Sequence, residues 1–147
     1  MVISAAEMLR RLNRVVTEIP EETRRIIQRD PKLIAAKYKE FQRGDKPDGT
    51  AIGFYRNTEY GLFKQRMNPL AGGTVDLILT GSFTRGLFVE SLGNSRYTFD
   101  STDDKTDDLI GKYGKDIMGL NQGEWIRLQR EVHAPLLIRF IKRQLGQ

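Results

Sequence analysis

Asp100, Asp103, Asp104, Asp107 and Asp108 are the densest group of oxygen ligands in the sequence. A calcium loop of the EF type needs a glycine at its sixth position and a glutamate at its twelfth. Counted from Asp100, those positions hold Lys105 and Gly111, so the pattern fails. The same acids, followed by Lys112, fit the start of a short helix whose dipole favours acids first and a base last. A pair of carboxylates can also hydrolyse glycosides across a cleft, but nothing in the spacing sets two of these acids opposite each other. His133 is the single histidine, and it stands alone without a Gly-x-Ser-x-Gly nucleophile turn anywhere in the chain. No glycine cluster ends in Gly-Lys-Ser/Thr, so there is no phosphate loop; Gly72-Gly73 reads as an ordinary turn. With no cysteine, disulfide, thiolate and Cys-ligated metal chemistry are excluded. These residues supply no catalytic mechanism, no metal set and no cofactor site. The expectation is a non-enzyme.

The remaining chemistry is charge. The chain carries 24 Lys+Arg against 19 Asp+Glu, net +5. Residues 1–46 are net +4, residues 47–121 net −2 and residues 122–147 net +3. Basic faces are expected on the terminal helices, with Arg10, Arg11, Arg14, Arg24, Arg25 and Arg29 in front and Arg127, Arg130, Arg139, Lys142 and Arg143 behind. Such faces either track nucleic-acid phosphates or dock on acidic protein surfaces. The acidic middle of the same chain favours the second: the basic end of one copy meets Asp103, Asp104 and Asp107 of the next.

These side chains need elements to hold them. Ser4 and Glu7 have capping-box spacing. Met8, Leu12, Val15, Val16 and Ile19 then recur as one helical face. Pro20 is expected to end that helix or begin another, with Ile26 and Ile27 on a short second piece. Asp30-Pro31 is a further helix start. Leu33, Ile34, Tyr38 and Phe41 follow, closed by Gly44. Residues 45–50 form a turn cluster without apolar side chains. Ile52 to Lys64 reads as a short strand or irregular arm displaying Phe54, Tyr55 and Tyr60. Residues 68–74, with Pro69, Gly72 and Gly73, read as a loop. Thr80 or Ser82 is expected to cap a short helix running to Gly86. Residues 87–92 and 96–100 flank Gly93-Asn94-Ser95 as a β-hairpin. Residues 103–113 read as helical turns ending at Gly114, and 117–120 as a compact apolar bend. Asn121 and Glu124 repeat the capping spacing and open a last helix. Its stripe is Trp125, Leu128, Val132, Leu136 and Phe140, flanked by Leu137 and Ile141, with a kink at Pro135.

The expected fold is therefore α+β: a small antiparallel sheet, the hairpin near 87–100, packed against the N- and C-terminal helices. One domain spans 1–147, with a helical part at 1–44, a β-rich middle at 45–121 and a C-terminal helix at 122–147. No apolar run reaches the roughly 18–20 residues of a membrane span, and residues 1–14 lack a signal-type apolar block. The expectation is a protein that makes no membrane contact.

The second half also resembles a family. Leu77-x-Leu79-Thr80-Gly81-Ser82-Phe83, the hairpin, Lys112-Tyr113-Gly114, and Ile117-Met118-Gly119-Leu120-Asn121 before a long amphipathic helix follow one another. This order is similar to that of tailed-bacteriophage tail-completion or head–tail joining (neck) proteins. There an "LxxTGxL" segment precedes a short helix and hairpin, and an "(F/L)LGLS"-like bend caps the last helix. This chain has Phe83 where the family often has Leu, and Asn121 where it often has Ser. Lys115-Asp116 replaces an arginine-proline pair. The resemblance covers residues 74–145. It implies a structural virion protein, made in the host bacterial cytoplasm, that forms a homo-oligomeric ring at the neck or tail. Such a ring contacts portal, neck or tail-tube proteins, with DNA passing its lumen. On this reading Arg10, Arg11, Arg14, Asp103, Asp104, Asp107, Arg127 and Arg130 are interface residues. The alternative is a small basic nucleic-acid-binding protein.

Overall fold

The computed structural model describes residues 2–78 and 81–147. The expected Thr80 cap, and the Leu79-Thr80 pair of the family-like motif, lie outside the described residues. The architecture is α+β, with one two-stranded antiparallel sheet among several helices.

Helix α1 runs Ala5–Gln28. Ser4 Oγ accepts from the Glu7 N–H at 3.1 Å, but Glu7 does not complete the box. Its carboxylate pairs with Arg10 and with Arg11, the latter at 3.0 Å. Pro20 sits inside α1, contrary to the expected break. It lies on the exposed side, and the carbonyl it cannot bond belongs to Val16, itself exposed to water. Buried Val15 and Ile27 anchor the helix on either side of it.

Helix α2, Pro31–Arg43, begins with Asp30 Oδ1 accepting from the Lys32 N–H at 2.9 Å. It ends at Gly44, φ +73°. A Cβ there would lie 2.3 Å from Thr74 Oγ1 and 2.9 Å from the Val75 carbonyl, so only glycine fits this left-handed cap.

The middle of the chain is less β-rich than expected. Its first part has two isolated bridges, Asp45 to Ala51 and Phe54 to Thr74. Helix α3, Thr58–Met67, replaces the expected arm and is capped by Asn57 Oδ1 on the Tyr60 N–H. Its apolar residues scatter round the helix, so they show no helical face in the sequence. Helix α4 is the single turn Ser82–Arg85; Gly81, not Ser82, is its N-cap.

Strand β1, Leu87–Gly93, pairs with β2, Arg96–Ser101, in the register Leu87–Ser101 and Val89–Phe99. The expected three-residue loop is a two-residue turn. Asn94 and Ser95 both have positive φ, +51° and +59°, which matches the twist of the flanking strands. Helix α5, Thr106–Tyr113, starts later than expected because Asp103 and Asp104 belong to the turn before it. The Thr106 hydroxyl closes that turn on the Asp103 carbonyl at 2.7 Å. Lys115–Met118 is a 3-10 turn.

Helix α6, Gln122–Leu128, is capped by Asn121 Oδ1 on the Glu124 N–H. A π-helical turn, Gln129–His133, then leads into α7, Ala134–Gln144. The π turn relieves Pro135, which has no N–H to give the preceding turn. It also adds one residue to the stripe. His133 and Phe140 are buried while Leu136 is 38% exposed, so Leu136 leaves the expected face.

The core joins Ile27 of α1, Leu33 and Phe41 of α2, and Phe83 of α4. Leu87, Val89 and Phe99 of the hairpin, Ile117, Met118 and Leu128 complete it. Phe41 meets Phe83 with ring centroids 5.5 Å apart. The hairpin lies against both terminal parts: Gln28 donates to the Val89 carbonyl at 3.4 Å, and Tyr97 packs on Trp125 of α6. Val15 of α1 and Phe140 of α7 are buried outside this central cluster, where the two helices pack on each other as a pair.

Lys37 is completely buried in α2, 4.4 Å from the Phe41 ring centre and 3.2 Å from Glu40 Oε1. Burial lowers its pKa from the usual lysine value, against the pull of Glu40. The unfolded chain therefore holds this proton more tightly than the folded chain. Stability contributed by Lys37 rises as pH climbs from the folded pKa to about 10.5 and is flat beyond. Tyr55, pushed up to about 12 by burial, acts in the opposite sense above pH 10. The expected result is that wild type gains stability with pH relative to Lys37→Met in the window below 10.5. Parallel urea titrations from neutral to alkaline pH measure this, and identical pH slopes would contradict it.

Candidate functional site

The first candidate surface is α3 and the cleft beside it. Helix α3 is inverted: its one buried residue is Lys64, while Tyr60, Leu62, Phe63 and Met67 are exposed. Phe54 and Leu70, on the same segment, are exposed as well. A buried polar network holds the helix this way round. Lys64 Nζ lies 2.5 Å from Asp76 Oδ1. Asn68 Nδ2 donates to Asp76 Oδ2 at 2.9 Å and to the Gln42 carbonyl at 2.6 Å. The Asp76 N–H donates to Tyr55 Oη at 3.3 Å. A charged pair buried this deeply needs hydrogen bonds to hold it; Asp76 accepts on both carboxylate oxygens, and Lys64 Nζ donates to one of them. The network ties α3 to the end of α2 and to residues 68–78. Sequence reasoning placed Phe54, Tyr55 and Tyr60 on an exposed arm. Phe54 and Tyr60 are exposed, and Tyr55 is half-buried under Tyr60, ring centroids 5.2 Å apart. Lys64 and Asp76 were missed because the pair spans 12 positions.

A cleft of about 530 Å³ separates α3 from α5. Phe54, Tyr60 and Leu77 line one part, and Asp103, Lys105 and Lys112 another. Asp104, Asp107 and Asp108 are exposed next to it. Residues 100–108 hold five aspartates and one lysine. Asp103 is half-buried and accepts from Ser82 Oγ at 3.4 Å; no ion pair engages Asp103, Asp104 or Asp107 among the described residues. No group of three His, Asp or Glu is placed to hold a metal ion among the described residues.

The second surface is the α1–α7 pair. Residues 5–19 and 134–147 carry six basic side chains against two acidic ones. The clefts beside this pair share no lining residue with the cleft between α3 and α5. The basic residues expected at an interface divide into two groups. Arg10 and Arg11 share Glu7. Arg127 is held by Glu124 and, at 2.9 Å, by Glu131, and it draws the Glu124 carboxyl below its usual range. Arg14 and Arg130 are exposed and make no ion pair among the described residues. The structure thus places Arg10, Arg11 and Arg14 on α1, and Asp103, Asp104 and Asp107 in the turn before α5 and its first turn. Arg127 and Arg130 belong to α6 and the π turn.

His133 is a structural link. Its Nε2–H donates to buried Asp30 Oδ2 at 2.7 Å, joining the π turn to the start of α2. No helix among the described residues is long and apolar enough to cross a membrane. No protein-family model matches the chain, and neither a curated protein nor a solved structure matches it.

Proposed function

We propose that this chain is a structural, non-enzymatic component of a tailed-phage particle. Copies assemble into a ring at the head–tail junction, as a neck or tail-completion protein, and join head to tail. The observation that carries this reading is the separation of charge: a basic α1–α7 pair and an acidic 100–108 segment on different elements of the fold. Head-to-tail docking of unlike surfaces closes into a ring when the rotation fits. The exposed apolar side chains of α3 add area for a neighbouring copy or for a portal or tail-tube protein, since exposed apolar surface marks interaction sites. The order of sequence motifs from Leu77 to Asn121 supplies the phage assignment. No cofactor takes part, and the place of action is the virion after synthesis in the host bacterial cytoplasm. The nucleic-acid reading is weaker because residues 100–108 hold five aspartates and one lysine, a surface that repels phosphates.

Reversing Asp103, Asp104 and Asp107 to lysine tests the docking. Like charges set across an interface cost several kcal/mol, so assembly should weaken by about 100-fold or more. Native mass spectrometry reads the oligomer directly. The Asp104→Lys, Asp107→Lys pair, both at exposed positions, controls for folding. An oligomer unchanged in both variants would contradict the role of the acidic segment.

A further inference from the structure

The hairpin and α6 border a separate cavity of about 440 Å³, within the size range of small-molecule sites. Its inner end is core, formed by buried Leu33, Val89 and Phe99. Its sides are aromatic: Tyr97 of β2 and Trp125 of α6, with ring centroids 6.0 Å apart. The two-residue period of a strand puts Tyr97 on the same face as Phe99. The register shift between Ser91 and Gly93 leaves Leu92 without a partner on β2. Such a bulge re-aims a side chain, and Leu92, 48% exposed, lines the cavity as well.

The polar groups that line this cavity are not used inside the chain. Arg96 is the one charged residue among them. It is exposed, and its side chain makes no hydrogen bond or ion pair among the described residues. The same holds for the hydrogen-bonding groups of Gln122, Tyr97 and Trp125. Glu21 and Arg24 act on Tyr97 from α1, but they are paired with each other. The charge of Arg96 is therefore uncompensated. Arginine and the tryptophan ring only donate hydrogen bonds. Their complement is an acceptor that carries negative charge, and a guanidinium matches a carboxylate through two parallel bonds.

We infer that this cavity binds a small monocarboxylate with an apolar tail. The tail lies between the two rings, against Leu33, Val89 and Phe99. The carboxylate meets Arg96 at the mouth. A cationic head is repelled there, and a carboxylate without a tail leaves the apolar part unfilled. The cavity shares no lining residue with the cleft between α3 and α5. The inference stands on this cavity alone and not on ring assembly.

Trp125 is the only tryptophan in the chain, so its fluorescence reports on the cavity directly. Titrating the full chain with octanoate should shift the emission saturably, at about millimolar concentration or below. Octylamine and octanol have the same tail, and acetate has the same head. Each should bind at least about tenfold more weakly, the difference that one hydrogen bond to a charged group makes. Arg96→Gln, at an exposed position, should reduce octanoate binding to the level of octanol and leave octanol binding unchanged. Equal binding of octanol and octanoate to the wild-type chain would overturn the carboxylate, and equal binding of acetate would overturn the tail. An octanoate preference that survives in Arg96→Gln would overturn Arg96 as its partner. No saturable change with any of the four probes would overturn the site.

Discussion

Asp76→Ala should destabilise the fold by about 3–5 kcal/mol, the loss typical when one member of a buried ion pair is removed. Asp76 is 5% exposed and accepts from Lys64, from Asn68 and, at 3.3 Å, from the Ile78 N–H. Without it, Lys64 has no ion-pair partner in a site where 3% of the residue meets solvent. Asn68 retains its bond to the Gln42 carbonyl, so the loss falls on the lysine and on residues 76–78. Replacing both partners with apolar residues of similar shape, as in Lys64→Met with Asp76→Leu, should recover most of the loss, because no charge is then stranded. Urea midpoints of the three proteins measure the effect. The expectation extends to hydrogen exchange: the amides of α3 should lose protection first in Asp76→Ala, since this network anchors the helix that carries Tyr60 and Phe63. A single variant within 1 kcal/mol of wild type would show that Lys64 escapes to water through the adjoining cleft and that the pair does not hold α3 (about 1 kcal/mol being the ordinary effect of a point change).

Asp30→Ala is expected to cost about 2–4 kcal/mol, the sum of two separate roles. One carboxylate oxygen caps α2 through the Lys32 N–H, and the other receives His133 from a point 103 residues away in sequence. Losing the cap costs about 1 kcal/mol. Leaving His133 Nε2 buried without an acceptor costs about 1–3 kcal/mol more. Nothing relieves that loss, because His133 Nδ1 already lacks a partner among the described residues. Asn is as good an N-cap as Asp, so Asp30→Asn should lose about 1 kcal/mol less than Asp30→Ala. Equal losses for Asn and Ala would mean that the cap contributes nothing and the histidine bond everything. Equilibrium denaturation of both variants separates the cases.

Local chemistry was legible in the sequence, and long-range pairing was not. Ser4, Asp30-Pro31, Gly44, Gly114 and Asn121 all act within four residues of themselves, and each ends or starts an element where its type requires. The hairpin was legible for the same reason, although its loop was read as the three residues Gly93-Asn94-Ser95 and is the two-residue turn Asn94-Ser95. Helix α3 was not. Hydrophobic periodicity finds the face a helix buries, and α3 buries a lysine whose partner is 12 residues on. Pro20 was read as a break because a proline removes a hydrogen bond, yet on an exposed face between buried Val15 and Ile27 the helix continues. Leu136 was placed in the stripe because an inserted π residue leaves no mark except the proline that follows it. Of the interface residues, the pairing of Glu7 with Arg10 and Arg11, and of Glu124 with Arg127, was available from i to i+3 and i+4 spacing. That Arg14 and Asp107 are left without ion pairs among the described residues took the structure.

Negative-stain electron microscopy of the purified protein tests the central claim most directly. The account predicts class averages of closed rings with a central hole, lost when Asp103, Asp104 and Asp107 are reversed. Particles that remain single 16.9 kDa chains at every concentration, or that appear only as a coat on added DNA and dissolve steeply with salt, would contradict it.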